Sequence, residues 1–437
     1  MYFSISSQSK SFLVIAVSMI SCLLLLINLS FKIVAVSGLV FTASSLLCPL
    51  ITWLYLLALR QCSLAEQRHI LNLSLMGVYI FSIGVYLLVN LPAAEYMHNN
   101  PVYQIVFEDI PKKFFATVFA FGVSFYLPHI LFSRKRDSFF SSTKNAVLLA
   151  VFGGMSFFAV DFYFLFSVPR IQNFQLIFFD SFLICATLLL IIGVSYLAWS
   201  VSYGKDMKKK EKVAQKLPIF YYLVCIAVAI LLICLACEYR LVTLNGQWTL
   251  TANGLLFPIA LMSGTLIGEL YGYRASILLT VILILAQLFF DALLMLAVAL
   301  PSPDFFNLNP FYSIILPRRI PAATVALLII FLSNGFLLDR LRRLPWLTSR
   351  AARMFIANFC ARTLLVLVSY SLLFTGVYSY EQMLTLAFNA WVYKNIFELL
   401  ILPLLVWVCH ALEKRLQNEQ DSSLSLTNTS KARSAIS

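Results

Sequence analysis

The chain has 437 residues, of which 61% are hydrophobic and 12% are charged, and its mean hydropathy is +0.88. This composition excludes a soluble globular domain and predicts a protein that lies mostly within a membrane. The formal net charge of +13 is spread along the edges of short loops, where it faces anionic lipid head groups. It does not indicate a nucleic-acid partner, because the sequence predicts no folded soluble domain to carry one.

Twelve apolar runs are each long enough to cross a bilayer as a helix, for which about 20 residues suffice. The first six are 11–31, 38–59, 71–91, 114–133, 145–167 and 174–199, and the second six are 218–236, 254–272, 275–299, 322–338, 354–376 and 383–409. The predicted fold class is therefore an all-α polytopic membrane protein with about twelve transmembrane helices. The lipid bilayer is its first predicted partner.

Lys and Arg are distributed unequally between the loops of the two sides. If the N-terminus is cytoplasmic, 23 of the 32 fall in inner segments, seven in outer loops and two within spans. Positive residues concentrate in short cytoplasmic loops. The distribution therefore predicts an inner-membrane protein with both termini in the cytoplasm.

Two sets of matching segments indicate an internal duplication. Thr42-Ala43 with the following Leu pair and Pro recurs as Thr251-Ala252 at an offset of 209 residues, and 110–113 (IPKK) recurs as 316–319 (LPRR) at an offset of 206. Six spans per half let both halves enter the membrane from the same side, so the two six-helix repeats are predicted to be parallel. The predicted division is a first repeat at 1–200, a basic linker at 201–216, a second repeat at 217–415 and a disordered tail at 416–437.

Charged side chains inside spans are the first candidates for function, because buried charge is expensive in a membrane and usually serves a ligand or a pathway. Glu269 follows Gly264 and Gly268 and precedes Gly272. The three glycines at four-residue spacing predict close helix packing. Glu269 is predicted to bind ligand or, alternatively, to pair at the interface with Arg274 or a loop cation.

The last predicted spans hold a second group of candidates. Lys394 and Glu398 lie on one helix face at i,i+4 spacing, where they can neutralise each other or bind a polar ligand between them. Arg362 requires a counter-charge, for which Glu398, Asp291 and Glu269 are the candidates. Further polar groups within spans are Asn334 in the second half and Asp161, Asp180 and His129 in the first half.

Sequence motifs for catalysis are absent. The chain has no phosphate-binding G-x-x-x-x-G-K-[ST] loop, no H-E-x-x-H pair and no G-x-S-x-G turn. Cys234-x-x-Cys237 lies at a helix end, where a packing role is favoured over redox chemistry. The sequence thus predicts no enzyme, no cofactor and no metal site.

The second half resembles a known family. The stretch 253–258 (NGLLFP), Gly264 and the stretch 269–273 (ELYGY) look like the signature of the queuosine-precursor transporter family, also called the vitamin uptake transporter (VUT) family. Pro317-Arg318, Asn334 and Tyr393-Lys394 fall where that family has similar residues. The family is ordinarily a single six-span unit, so the resemblance implies a duplicated form. It implies a fold akin to the substrate-binding components of vitamin transporters and the uptake of 7-deazaguanine precursors of queuosine.

The resemblance also implies a set of ligand-binding residues. A deazaguanine offers adjacent N–H donors to a carboxylate, a carbonyl to a cation and a flat ring to aromatic faces. The predicted substrate-binding residues are Glu269, Tyr271, Tyr273, Arg318, Asn334, Arg362, Lys394 and Glu398. Thr265 stands where the family often has Asp, and Asn358 to Arg362 replace a Gly-Gln-x-x-Asp-like segment, which could change the ligand.

Two other functions are consistent with the sequence. The chain could be a substrate-capture subunit that works with a separate energising complex. It could also be a membrane scaffold or sensor that transports nothing, in which the polar residues only fix helix packing.

Overall fold

A computed structural model describes residues 7–92, 109–134, 142–167, 174–202, 219–238, 240–244, 248–303, 309–374 and 379–434. The predicted all-α membrane fold is confirmed. The helices of the first half are α1 Ser7–Leu29, α2 Ser44–Gln61, α3 Leu64–Val89, α4 Ile110–Phe121 with its continuation, α5 Thr143–Phe166 and α6 Phe174–Ser202. Those of the second half are α7 Ile219–Ala236, α8 Ala252–Tyr271, α9 Tyr273–Ala299, α10 Asn309–Arg342, α11 Arg350–Phe374 and α12 Tyr380–Ser434.

Eleven helices in the described part of the chain are long and apolar enough to cross a membrane. The remaining helix, α2, occupies the place of the predicted second span. It has 18 residues and carries Arg60 in its last turn. α4 is continued beyond Phe121 by a π-helical turn at Gly122–Tyr126 and by Leu127–Arg134. The chain is thus a multi-pass membrane protein.

Each half contains a short β-hairpin between its first two helices, which the sequence analysis does not predict. In the first half, β1 Ile33–Val36 pairs antiparallel with β2 Leu39–Thr42. In the second half, β3 Leu241–Leu244 pairs with β4 Trp248–Thr251. The predicted span 38–59 therefore begins as a strand and becomes helical only at Ser44. We refer to the end of the helix bundle that carries these strands as the hairpin end.

The two hairpin regions make reciprocal contacts with the opposite half. Lys32 Nζ donates at 3.3 Å to the carbonyl of Val298, in the last turn of α9, and at 3.3 Å to that of Leu300, just beyond the helix. Arg240 Nη2 donates to the carbonyls of Val89 and Leu91 at 2.6 and 3.0 Å, at the end of α3. The backbone repeats the exchange, since the N–H of Ala35 donates to Pro301 and that of Thr243 donates to Pro92. Each half is therefore hydrogen-bonded to the end of the third helix of the other half.

The first helices of the two halves form the centre of the bundle. α1 and α7 are the most buried of the candidate spans, and they pack against each other, with Phe12 and Tyr221 in edge-to-face contact at 5.4 Å. α3 approaches α7 closely, because a Cβ on Gly84 would lie 2.7 Å from Ile233 Cδ1. The remaining helices of each half pack outside this centre.

The predicted linker and the predicted C-terminal tail can each be compared with the structure. Most of the predicted linker 201–216 lies outside the described residues. The predicted disordered tail differs from the structure, in which α12 continues to Ser434. No Gly or Pro follows Pro403, so no residue there interrupts the helix that leaves the last span.

Candidate functional site

A network of buried polar side chains joins four helices of the second half. Asn358 on α11 donates from Nδ2 to Glu398 Oε1 on α12 at 2.7 Å. Its Oδ1 accepts from Asn334 Nδ2 on α10 at 2.7 Å and from the hydroxyl of Thr265 on α8 at 2.6 Å. Arg362, one turn beyond Asn358 on α11, pairs with the second oxygen of Glu398. All five side chains are almost fully buried.

The acid that neutralises Arg362 is Glu398, one of the three candidates from the sequence. Arg362 Nη1 also donates to the carbonyl of Lys394 at 3.0 Å. An ion pair in a low-dielectric interior is tolerated only when additional hydrogen bonds satisfy its atoms. Asn358 and the Lys394 carbonyl supply such bonds here. The network therefore fixes α8, α10, α11 and α12 relative to one another.

The i,i+4 spacing allowed Lys394 to pair with Glu398 or to bind a ligand beside it, and in the structure the two side chains do not pair. Its Nζ lies 5.7 Å from the ring centre of Phe257 and 5.8 Å from that of Tyr370. Among the described residues, no hydrogen bond or ion pair of this amine is found, although Lys394 is only 3% exposed. The reason is geometric, because Arg362 already occupies the carboxylate of Glu398.

A second charged cluster lies on α9, on α10 and in the turn after α7, and it was not predicted as a unit. Arg319 pairs with Asp291, donates to the carbonyl of Leu235 at 3.1 Å and places Nε 4.0 Å from Glu238 Oε2. Gln287 donates to Asp291 at 3.4 Å. Arg319 and Asp291 are 1% and 0% exposed as side chains, and Glu238 is 6% exposed.

A cavity lies between the charged cluster and Lys394. Its volume is about 50 Å³, so it holds small groups or a few waters in this conformation. Its polar lining residues are Cys234, Glu238, Thr251, Asn253, Ser369, Tyr370 and Lys394, and its apolar lining includes Leu231, Phe257, Leu327, Leu365 and Phe374. A concave, mostly apolar space with a few convergent polar groups is the usual form of a small-molecule site.

The start of α8 supplies one wall of this cavity. Thr251, Asn253 and Phe257 lie within its first two turns, and the Thr251 hydroxyl lies 3.1 Å from the hydroxyl of Tyr370. A Cβ on Gly254 would lie 3.8 Å from Lys394 Cε and 3.9 Å from the Tyr370 hydroxyl. These are ordinary van der Waals distances, so the first turn of α8 lies next to both the lysine and the tyrosine. Part of the sequence motif that carried the family resemblance therefore lines the cavity.

Glu269 lies at the opposite end of α8 from the cavity. It is 12 residues beyond Phe257, or about 18 Å along a helix. Its carboxylate pairs with Arg342 at 2.7 Å and with Arg353 at 3.5 Å, two of the loop cations to which the alternative prediction referred. The structure therefore places Glu269 in an ion-pair cluster at the end of the bundle away from the hairpins.

Three other predicted binding residues also lie away from the cavity. Tyr271 packs edge-to-face on Phe220 at 5.5 Å, and Tyr273 packs on Phe336 at 6.3 Å. Arg318 is exposed, while its neighbour Arg319 points into the bundle. Of the eight predicted residues, Lys394 lines the cavity, and Asn334, Arg362 and Glu398 belong to the adjoining network.

The three predicted packing glycines serve two purposes. A Cβ on Gly264 would lie 2.8 Å from the Phe331 ring, and one on Gly268 would lie 3.0 Å from Leu338 Cδ1. Both therefore permit close contact between α8 and α10. Gly272 differs, since a Cβ there would meet nothing within 4 Å, but its φ is +84°. It makes the turn from α8 to α9, in a conformation that non-glycine residues rarely adopt.

Packed aromatic rings fill much of the interior of the first half. Phe121, Phe125 and Phe157 lie with ring centres 5.4–6.2 Å apart. The buried Asp161 accepts a hydrogen bond from Thr117 at 3.2 Å. Asp180 accepts from the N–H of Val40 in the hairpin at 3.0 Å, so it has a structural partner. His129 Nδ1 lies 3.5 Å from the Tyr55 hydroxyl, in agreement with a hydrogen-bonded core imidazole.

Comparison with protein families gives one match for the second half. Residues 251–408 match the family model described as "Putative vitamin uptake transporter". The match begins at Thr251 and includes the polar network, Lys394 and most of the cavity lining. It agrees with the sequence resemblance at the level of the family. The comparisons with curated proteins and with solved structures give no match.

The sequence did not point to several residues of the cavity and of the charged cluster. Glu238 and Tyr370 line the cavity and lie near helix ends, where a polar residue is ordinary, so position alone does not mark them. In the charged cluster, Arg319 was overlooked in favour of Arg318. A usable signal was present, because the matching segment of the first half also ends in a buried cation, Lys113.

Proposed function

We propose that the protein is an inner-membrane uptake transporter for a small polar, ring-containing solute. The observation that carries the proposal is the cavity in the family-matched half, into which the buried amine of Lys394 projects beside two aromatic rings. A cation held in an apolar interior without a protein counter-charge in contact is costly. A ligand that accepts hydrogen bonds from it offsets this cost.

The proposed substrate is a 7-deazaguanine precursor of queuosine. Its carbonyl suits the Lys394 amine, its ring suits the faces of Phe257 and Tyr370, and its N–H groups suit a carboxylate. The carboxylate at the cavity is Glu238. In this proposal Glu238, instead of Glu269, accepts the hydrogen bonds from the N–H groups of the ligand. The polar network at Glu398 then serves to hold the surrounding helices rather than to bind the ring.

We further propose that the two halves are parallel repeats and that both termini are cytoplasmic. The duplication is supported by the common order of elements, helix, hairpin and five helices, and by the reciprocal contacts of Lys32 and Arg240. With this orientation the hairpin end faces outward and the cavity lies in the outer part of the second half. The cluster of Glu269, Arg342 and Arg353 lies on the cytoplasmic side.

Restoration of queuosine in living cells tests the proposed function. A bacterial strain unable to make deazaguanines expresses the chain and receives a precursor in the medium. We expect queuosine to return to its tRNA with the wild-type protein and to decrease strongly with a Lys394→Met variant present at equal amounts in the membrane. If the wild-type protein reaches the membrane and no precursor restores queuosine, the substrate assignment is wrong.

Experiments on the purified protein distinguish a transporter from a substrate-capture subunit. Reconstituted in liposomes, a transporter accumulates labelled precursor when an ion gradient or exchange substrate is supplied. A capture subunit binds the precursor with the same preference but does not move it across the bilayer without a partner. Binding without accumulation would therefore favour the capture-subunit function.

A further inference from the structure

We propose that a set of ion pairs in the second half forms a gate that closes the route from the cavity to the end of the bundle away from the hairpins. The residues of the gate are Glu269, Arg342, Arg353, Arg350 and Glu413. The inference rests on the proposed function, since a gate requires a solute that passes between these helices. It gives a role to Glu269, which belongs to the sequence motif of the family resemblance and yet lies away from the cavity.

The ion pairs join the ends of four helices. Glu269, near the end of α8, pairs with Arg342 at the end of α10 at 2.7 Å and with Arg353 at the start of α11 at 3.5 Å. Arg350, the first residue of α11, pairs with Glu413 on α12 at 2.9 Å. The same four helices are joined farther inside the bundle by the buried polar network. Their ends therefore cannot move apart at this surface unless the ion pairs separate.

Exposure to water lets these ion pairs separate more readily than buried ones. The side chains of Arg342, Arg350 and Glu413 are 37%, 31% and 38% exposed, whereas those of Arg362 and Glu398 are 1% and 0% exposed. Water solvates separated charges at a surface, so an exposed pair adds little to stability. Separation of a pair in the interior leaves both charges uncompensated. The gate can therefore open while the network inside it stays intact.

The carboxylate of Glu269 is incompletely hydrogen-bonded while the gate is closed. It is 3% exposed as a side chain, and its Oε1 has no hydrogen-bond partner among the described residues. Arg353 Nε, at 3.5 Å, brings a positive charge to this oxygen without a hydrogen bond. A buried oxygen without a donor raises the free energy of the closed state, and water that enters on opening supplies the donor. Hydration therefore offsets part of the cost of opening.

Polar side chains lie between the cavity and the gate. Along α8, Thr265 is about 12 Å beyond Phe257 at the cavity, and Glu269 is about 18 Å beyond it. Thr265 donates to Asn358, which also accepts from Asn334. A polar solute needs such hydrogen-bonding groups where it leaves water and crosses an apolar bundle. The network thus lies at an intermediate depth of the route that the gate closes.

Contacts between the halves place the opening movement within the second half. At the hairpin end, Lys32 and Arg240 hold the halves together. Toward the opposite end, His69 Nδ1 on α3 lies 3.0 Å from the Tyr222 hydroxyl on α7. The halves are thus in polar contact at both ends, which opposes a rocking of one half against the other. Separation of helix ends within the second half opens the route without breaking these contacts.

A native cysteine reports on the gate. Cys409 is 1% exposed, lies one turn before Glu413 on α12, and places its Sγ 3.9 Å from Arg350 Nη1. A thiol reacts with an alkylating reagent only when the reagent reaches it. The rate at which N-ethylmaleimide labels Cys409 therefore measures the opening of the gate and requires no substrate. Cys22, which is buried within α1, reports on unfolding instead.

Two substitutions in one ion pair test the inference on the purified full-length protein. Labelling of each cysteine is followed by mass spectrometry of its peptide. Relative to the wild type, we expect Glu269→Gln and Arg342→Gln each to accelerate the labelling of Cys409 at least about fivefold, with Cys22 unchanged. The two variants change the local charge in opposite senses, so an effect of charge on the thiol alone would accelerate one and slow the other. Such opposite effects would overturn the inference.

Arg343→Gln is the matched control. Arg343 lies at the same end of the bundle, but it pairs with Asp339 four residues earlier in the chain, so its loss leaves the contacts between helices in place. We expect labelling of Cys409 within about twofold of the wild type in this variant. Rates in the two test variants no higher than in this control, or an equal acceleration at Cys22, would also overturn the inference.

The labelling result is independent of the test of transport. If queuosine does not return to cells but both test variants accelerate the labelling of Cys409, the gate stands and the solute is another compound. If queuosine returns but labelling in both test variants equals that in the control, the protein transports the precursor and the assignment of the gate is wrong.

Discussion

Lys32 and Arg240 occupy corresponding places in the two halves and each binds the end of the other half's third helix. They are 208 residues apart in the sequence. The carbonyl of each accepts a hydrogen bond from the first residue after its own hairpin, Ala43 or Ala252. Helix C-termini favour cations because their last carbonyls have no partner within the helix. The exchange therefore fastens the two halves together at the hairpin end.

Replacing either cation should weaken the contact between the halves. Lys32→Met or Arg240→Met leaves two buried or partly buried carbonyls without their donor, and we expect a loss of about 1–3 kcal/mol in stability for each. Thermal unfolding of the purified protein in detergent measures the change. Lys144→Met on an exposed position of α5 is the control. If all three variants unfold at one temperature, the exchanged contacts do not stabilise the chain.

Breaking the ion pair between Arg362 and Glu398 should lower the stability of the protein more than it weakens ligand binding. Glu398→Gln leaves the Arg362 guanidinium buried without a counter-charge, at a cost of about 3–5 kcal/mol. Replacing both residues by Met removes both charges and should cost less than Glu398→Gln alone. A double-mutant cycle from unfolding midpoints provides the comparison. A double variant less stable than the single one would show that the pair itself stabilises the bundle.

Gly264 and Gly272 should respond to alanine for different reasons. Gly264→Ala brings a Cβ against the Phe331 ring and should cost about 1–3 kcal/mol, which Phe331→Leu should partly relieve. Gly272→Ala forces alanine into a positive φ and should cost about 1–2 kcal/mol, with no relief from Phe331→Leu. Unfolding temperatures of the four variants test this. Equal relief of both alanines by Phe331→Leu would contradict the packing role of Gly264.

Glu269→Gln should leave the affinity for ligand within about twofold of the wild type. Its carboxylate is about 18 Å along α8 from the cavity and pairs with Arg342 and Arg353. Calorimetric titration with 7-deazaguanine measures this directly, with Lys394→Gln as the positive control. A tenfold or greater loss of affinity in Glu269→Gln would return Glu269 to the binding site, where the sequence analysis expected it.

The positions of the helices could be predicted because a bilayer requires long apolar runs, and those runs dominate this chain. The hairpins could not, because four apolar residues such as 33–36 (IVAV) read equally well as the end of a span. A signal for the first hairpin was present in Ser37-Gly38, a pair typical of tight hairpin turns. Both residues indeed have positive φ values, 51° and 86°.

The candidate site was harder to predict because sequence spacing fixes the helix face but not the partner across the bundle. Lys394 and Glu398 share a face, yet Glu398 is taken by Arg362 from another helix. Arg318 and Arg319 are adjacent, yet only Arg319 points inward. Glu238 became a candidate only when the structure placed it beside the cavity. These outcomes depend on helix rotation and tertiary contacts, which a single sequence does not contain.

The proposed function requires that ligand binds in the second half, beside Lys394. Initial uptake of labelled 7-deazaguanine into cells that express equal amounts of wild-type, Lys394→Gln and Asp161→Asn protein tests it most directly. We predict that Asp161→Asn, in the aromatic interior of the first half, keeps most of the wild-type uptake. Lys394→Gln should raise the half-saturating concentration by about ten- to a hundredfold. Equal losses in the two variants, or a greater loss in Asp161→Asn, would contradict the claim.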